Sequence, residues 1–242
     1  MKRFGRSSAL VTIPLLLATH LALAESGLVG FEAATDARPP PPWRLASERR
    51  QRPPQFDVIE QEGRKVLMVY SASAEGRLEQ PLGLAPSESL RLNWRWRVDE
   101  HAQAGDLADP AKDDHALRLC VRVVPDPERA GERTRRGLAA LLGGSLRHTL
   151  CYLWDARYPS GHLAWSADES TRLIVLRGAE TPTGRWQYET RDLIADYRQH
   201  FGAEAKSVEL LWLSARSSGT GARTLAFFAD PELLSEPTAN QP

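Results

Sequence analysis

Between Leu90 and Glu100 the chain reads LRLNWRWRVDE, and every second residue is apolar: Leu90, Leu92, Trp94, Trp96 and Val98. Arg91, Asn93, Arg95, Arg97 and Asp99 fill the alternate positions. A period of two is that of a β-strand, whose side chains point to opposite faces in turn. One face of this strand is therefore buried and the other wet. The tryptophans belong to the buried face, because large aromatics supply much of a sandwich interior. Similar short runs recur: KVLMVYSA, HALRLCVRVV, TLCYLWDA, TRLIVLRG, RWQYETRD, VELLWLSA and TLAFFAD. Gly, Pro, Asp and Ser separate them, as in SAEG, PLGLAPSES, GDLADP, YPSGH, TPTG and SSGTG. Many short strands without an alternating strand–helix rhythm predict an all-β antiparallel sandwich.

Two stretches break the pattern and read as short helices. ERTRRGLAALLGG, with a helical segment over 132–142, places Leu138, Leu141 and Leu142 at helical spacing between two strands. DLIADYRQHFG starts at a capping Asp192 and stops at Gly202, with Leu193, Ile194, Tyr197 and Phe201 on one stripe. The second helix is expected to close one end of the sandwich.

The first residues carry Lys2, Arg3 and Arg6, then an apolar run, then Ala22-Leu23-Ala24. That order is the pattern of a secretory signal peptide cut after Ala24. The expected organisation is a signal peptide over 1–24 and an extension over 25–45 with a first strand and prolines 39–42. A β-sandwich domain over 46–234 and a tail over 235–242 complete it. No later run is long and apolar enough to span a membrane. The protein is expected in the periplasm or outside the cell. Lys+Arg and Asp+Glu both number 31, so the chain as a whole has no charge to steer it to nucleic acid. Oligomeric state is not legible. In an oxidising compartment Cys120 and Cys151 read as a structural disulfide rather than a redox or zinc pair, since neither lies in a C-x-x-C motif. Both fall on the polar face of their strands, so neighbouring strands would bring them together.

The arginines pose the functional question. In HALRLCVRVV, Leu117, Leu119, Val121 and Val123 share one face, and Arg118, Cys120 and Arg122 share the other. If this strand lies beside Leu90–Glu100, then Arg95, Arg97, Arg118 and Arg122 stand together on one sheet face. Such a face is either a cationic groove for a carboxylated sugar or acidic polymer, or a wet face whose arginines pair with Asp99, Asp113 or Asp114. Trp165, in the loop GHLAW, is a candidate stacking platform or a buried anchor. Glu32 and Asp230 flank the first and last strands and are candidate ligands of a structural Ca²⁺. No other cofactor is indicated. KDDH, Lys112 to His115, sets two carboxylates beside an imidazole and reads first as a turn entering a strand. A glycosidase would need one of them to face Glu79, Asp168 or Asp230 across a cleft. No nucleophile elbow, zinc-protease motif or phosphate loop is present, and the histidines lack ligand spacing.

The strings LNWRWRVD, KDDHALRLCV, LCYLWD, RLIVLRG, GRWQYETRDLIADYRQHFG and FFAD stand in order along the chain. In order and spacing the sequence resembles the exported bacterial family known as domain of unknown function 3047. The resemblance implies a jelly-roll sandwich of the galactose-binding-like type and transfers no activity. Family members carry an acidic run before the last strand, whereas SARSSGTGAR, 214–223, holds no acid. Three functions compete. They are an exported non-catalytic binding module for a saccharide or acidic polymer, an envelope interaction protein using the 132–142 helix, and a polysaccharide hydrolase or lyase.

Overall fold

In a computed structural model, which describes residues 24–25, 27–47, 51–85, 88–130, 147–166 and 169–235, the chain forms two sheets packed face to face. The strands are β1 (Ala24–Glu25), β2 (Arg44–Ala46), β3 (Gln55–Gln61), β4 (Arg64–Ala72), β5 (Glu75–Leu84), β6 (Leu90–Glu100) and β7 (His115–Ala130). They continue as β8 (His148–Trp154), β9 (Leu163–Trp165), β10 (Thr171–Arg177), β11 (Gln187–Asp192), β12 (Ala203–Arg216) and β13 (Arg223–Ser235). One sheet has the order β11-β6-β13-β4-β3, with β1 beside β13. The other runs β2-β5-β12-β7-β8-β10-β9. From β4 to β7 and again from β11 to β13, each strand passes to the opposite sheet, the winding of a jelly roll, while β3–β4 and β7–β8 pair within one sheet. Pairing is antiparallel except between β8 and β10, where β9 occupies the edge beyond β10 and leaves β8 and β10 parallel.

The alternation in β6 does what its period requires. Leu90, Leu92, Trp94, Trp96 and Val98 are all buried in the core. So are Leu117, Leu119, Val121 and Val123 of β7. The two apolar faces meet across the core rather than side by side: Trp94 packs on Tyr152 at 5.6 Å and Trp96 on Trp154 at 6.1 Å, both partners lying on β8.

Helix α1 (Leu193–Phe201) begins where the sequence predicts. The Asp192 carboxylate accepts from the Ile194 and Ala195 N–H groups at 3.0 and 3.1 Å, and Gly202 ends the helix with a left-handed φ of 60°. Its buried face closes one end of the sandwich. There Tyr152 donates to Asp196 at 2.6 Å, Arg191 holds the same carboxylate, and Tyr197 pairs with His148 at 2.8 Å. Glu189 of β11 bridges the sheets, accepting from Trp96 Nε1 at 2.9 Å and from Arg177 at 2.6 Å.

Several elements lay hidden in the sequence. β5 was hidden because Gly76, Pro81 and Gly83 read as breaks. Pro81 sits at a register shift against β12, and Gly83 takes a φ of 62°. β3 has a weaker alternation, and β9 is only a three-residue edge within the expected loop. Phe31–Ala33 is a single 3₁₀ turn rather than a strand. The predicted signal peptide before Ala24, the 132–142 helix, and Asp168 lie outside the described residues.

Candidate functional site

The expected single arginine face does not form. Arg95 and Arg97 project from the outer surface of one sheet, Arg118 and Arg122 from the outer surface of the other, because β6 and β7 face each other through the core. Each outer surface then has its own chemistry.

On the β6 side both arginines are committed. Arg95 Nε lies 2.6 Å from Asp230 and its guanidinium sits 4.5 Å from the Trp186 ring centre. Arg97 pairs with Asp99 at 2.8 Å and lies 4.2 Å from the Phe227 ring. Arg95 is only 7% exposed, so it is a buried strut and not a wet charge. Asp230 also meets Arg64 at 3.5 Å, while the Glu32 carboxylate accepts from the Lys65 N–H at 3.1 Å. The two proposed calcium ligands are thus each engaged by cationic or backbone donors. Among the described residues no three His, Cys, Asp or Glu side chains converge as a metal site would need. Trp165 packs edge-on against Phe201 at 5.1 Å with Arg172 4.6 Å from its ring, an anchor between β9 and the helix end.

The outer face of the second sheet holds a cavity of about 370 Å³. Register places its lining in rows. Trp212 of β12 stands opposite Cys120 of β7 and Glu79 of β5; Ser214 stands opposite Arg118 and Arg77. Arg216, Glu75, Asp113, His115 and Ala46 complete the wall. Cys120 and Cys151 face each other in register and form the disulfide, with S–S 2.01 Å, beside the Trp212 row. Cross-linking β7 to β8 across a separation of 31 residues fixes that row, and in the chain-entropy account contributes about 3–4 kcal/mol.

The polar groups of the cavity are held by one another. Arg118 grips Asp113 with two hydrogen bonds of 2.6 and 3.1 Å. Burial pushes the Asp113 carboxyl up, but the Arg118 charge and hydrogen bonds outweigh it and hold the group below the usual carboxylate range. His115 Nδ1 lies 3.1 Å from the Asp113 carbonyl, which can only accept, so Nδ1 carries the proton. Nε2 then accepts from the Ser214 hydroxyl at 3.0 Å. Burial first, and the Arg118 charge second, push the imidazole down to about 3. The serine–histidine–carbonyl chain resembles a nucleophile with its base, yet a base so weak takes no proton near neutrality. The Ser214 hydroxyl is aimed at the ring nitrogen.

In the irregular approach to β7, Asp114 takes partners other than those of Asp113. Its buried carboxylate accepts from the Gly219 N–H at 3.0 Å and from the Thr220 N–H and hydroxyl at 2.7 Å. It clamps the loop between β12 and β13. Gly219 is required there, since a Cβ would lie 2.2 Å from the Ala111 carbonyl oxygen. Of the described acids that a glycosidase reading would pair with KDDH, Glu79 is held by Arg44 and Arg77, at 2.9 and 3.0 Å, and Asp230 is on the other sheet.

The model of a family described as "Protein of unknown function (DUF3047)" matches residues 42–232. The chain belongs to this family. No curated protein matches the sequence. Among solved structures, the family member is similar to a carbohydrate-binding module, TmCBM61, in complex with β-1,4-galactotriose. The TM-score is 0.37 and the identity 11%, over 86% of this chain and 94% of that one. It is also similar to the xyloglucanase domain of NopAA, a type three effector from Sinorhizobium fredii, in complex with cellobiose. There the TM-score is 0.38 and the identity 9%, over 81% and 98% of the two chains. A third is the K3 adhesin domain of Lys-gingipain from Porphyromonas gingivalis, at TM-score 0.34 and 10% identity, over 81% and 92%.

The sequence missed the cavity for an identifiable reason. Alternation in β7 points to Arg118, but Trp212, Ser214 and Arg216 come from a strand that reads as plain core, VELLWLSAR. Their outward phase was legible from the alternation with Leu211, Leu213 and Ala215; their company was not.

Proposed function

We propose that this protein is an exported, non-catalytic binding module of the cell envelope, with a saccharide or acidic polymer bound at the cavity on the outer face of the β5-β12-β7 sheet. The observation that carries the reading is the preorganised polar lining. Arg118, His115, Ser214 and Arg216 are each fixed by a partner before any ligand arrives, beside the indole of Trp212. Fixed polar groups around an aromatic wall suit a hydroxyl-rich ligand, because little ordering entropy is lost on binding. The His115 imidazole supports binding over hydrolysis, being too weak a base to activate Ser214. Export is supported by the sequence pattern before Ala24 and by a disulfide, which persists in oxidising compartments. Among the described residues no helix is long and apolar enough to cross a membrane.

A glycan array probed with the mature protein, with and without Ca²⁺, tests the reading. Ser214→Phe places a ring in the cavity and is expected to abolish the signal while leaving the fold intact by circular dichroism. Binding retained by that variant would move the site elsewhere.

A further inference from the structure

The charges around Trp212 do not balance. Glu79 is the one carboxylate paired within this group, and it is shared by Arg44 and Arg77. Arg77 lies 5.4 Å from the centre of the Trp212 ring. Arg122, on the next row of β7, lies 5.5 Å from the same ring. Among the described residues no carboxylate comes within ion-pair distance of Arg122. The nearby Glu209 is taken by Arg147 at 2.9 Å. Three guanidinium groups therefore gather about one carboxylate and one indole.

Such crowding is unfavourable in the free protein. Burial, then the charges of Arg77 and Arg147, make the Arg122 cation harder to maintain, and the charges of Glu209 and Glu79 offset this only in part. The indole offsets part of this through its negative face, but it neutralises nothing. An anion placed between Arg77 and Arg122 would remove the repulsion and gain charge-assisted hydrogen bonds. The planar fork of arginine matches a carboxylate in shape. Arg122 lies one row beyond the cavity, about 7 Å along the strand, so a ligand filling the cavity and reaching Arg122 is an oligomer.

We infer that the site binds a carboxylate-bearing oligosaccharide, with Arg122 and Arg77 over Trp212 receiving a uronate carboxylate from the unit next to the one in the cavity. This rests on the saccharide-binding reading above and gives it a charge requirement. Arg122 accounts for its own position poorly otherwise: among the described residues it pairs with no acid, and its guanidinium rests on the Trp212 ring of the neighbouring strand.

The experiment is isothermal titration of the mature protein with oligogalacturonate and oligoalginate, alongside the fully methyl-esterified oligogalacturonate and a neutral galactan oligomer. Wild type is expected to bind at least one uronate oligomer, more weakly as salt rises, and to bind its neutral methyl ester roughly tenfold less well, the scale of one lost charge-assisted contact. Arg122→Gln should lose a similar factor toward the uronate and none toward the ester; Arg122→Lys should restore part of it. Because Arg122 has no acid partner among the described residues, Arg122→Gln should leave the melting temperature unchanged or slightly raised. Equal binding of acid and ester, or a loss for Arg122→Gln that is the same for both, overturns the inference. So does a fall in melting temperature with no change in selectivity, which would make Arg122 a structural residue. Binding of the neutral oligomer alone overturns it while leaving the saccharide-binding reading in place. No binding to any of the four sinks both.

Discussion

Trp94 and Trp96 are neighbours on one strand face, yet they differ chemically. Both are fully buried, but Trp96 Nε1 donates to the Glu189 carboxylate, whereas Trp94 Nε1 has no acceptor among the described residues. Replacing either by Phe removes similar volume. Only Trp96→Phe also deprives a buried carboxylate of a donor, a contact worth about 1.5–3 kcal/mol when one partner is charged. Trp96→Phe is therefore expected to cost about 1–3 kcal/mol more than Trp94→Phe in urea denaturation; equal midpoints would refute the assignment. The same scale separates the arginines. From sequence, Arg95 looked like an exposed charge whose removal would cost little. Its contact with Asp230 and the Trp186 ring instead makes Arg95→Ala destabilising, by about 1–3 kcal/mol.

At the scale of elements, α1 shows how a short helix is held. Nine residues are too few to be stable alone in water. The Asp192 cap satisfies two orphan N–H groups, and the buried stripe of Leu193, Ile194 and Tyr197 supplies the rest. Asp192 also accepts from the Ser89 hydroxyl at 2.8 Å, tying the helix start to the entry of β6. Asp192→Ala should cost about 1–2 kcal/mol, and hydrogen exchange should show the first turn of α1 opening more often than in wild type. An unchanged first turn would mean that packing alone sets the helix start. Cap, stripe and terminating glycine were all legible in DLIADYRQHFG, because a helix encodes its ends locally. β5 was not legible, because a strand carrying Gly76, Pro81 and Gly83 is stabilised by β12 and β2 on its two sides and not by its own residues.

For the whole molecule, the buried histidines set the response to acid. Burial pushes His148 down to about 4 and, with Arg118, His115 down to about 3. Both stay neutral in the folded state where the unfolded chain, with a pKa near 6.5, takes up protons. Stability is therefore insensitive to these groups above about pH 6.5 and falls as the pH drops from there toward about 4. Each histidine contributes at most about 1.4 kcal/mol per pH unit in that window. Melting temperatures between pH 8 and pH 4 should show the fall, and His148→Phe should flatten part of it. A wild-type protein melting at the same temperature at pH 7.5 and pH 4.5 would contradict the burial of both rings.

The sequence by itself determined the all-β class, the inward face of each strong strand, the helix with its caps, and the two cysteines on matching faces. All of these follow from rules that act within one strand, one turn or one helix. It could not determine which strands lie side by side. An apolar face says only that something covers it, and the cover for β6 is β7 and β8 across the core rather than a neighbour in the same sheet. That single choice sent Arg95 and Arg97 to one outer surface and Arg118 and Arg122 to the other. It also put Trp212, Ser214 and Arg216 beside Arg118, where an otherwise ordinary core strand becomes the floor of a polar cavity. Pairing between strands distant in sequence is decided by how two whole faces pack, and only the tertiary structure carries that information.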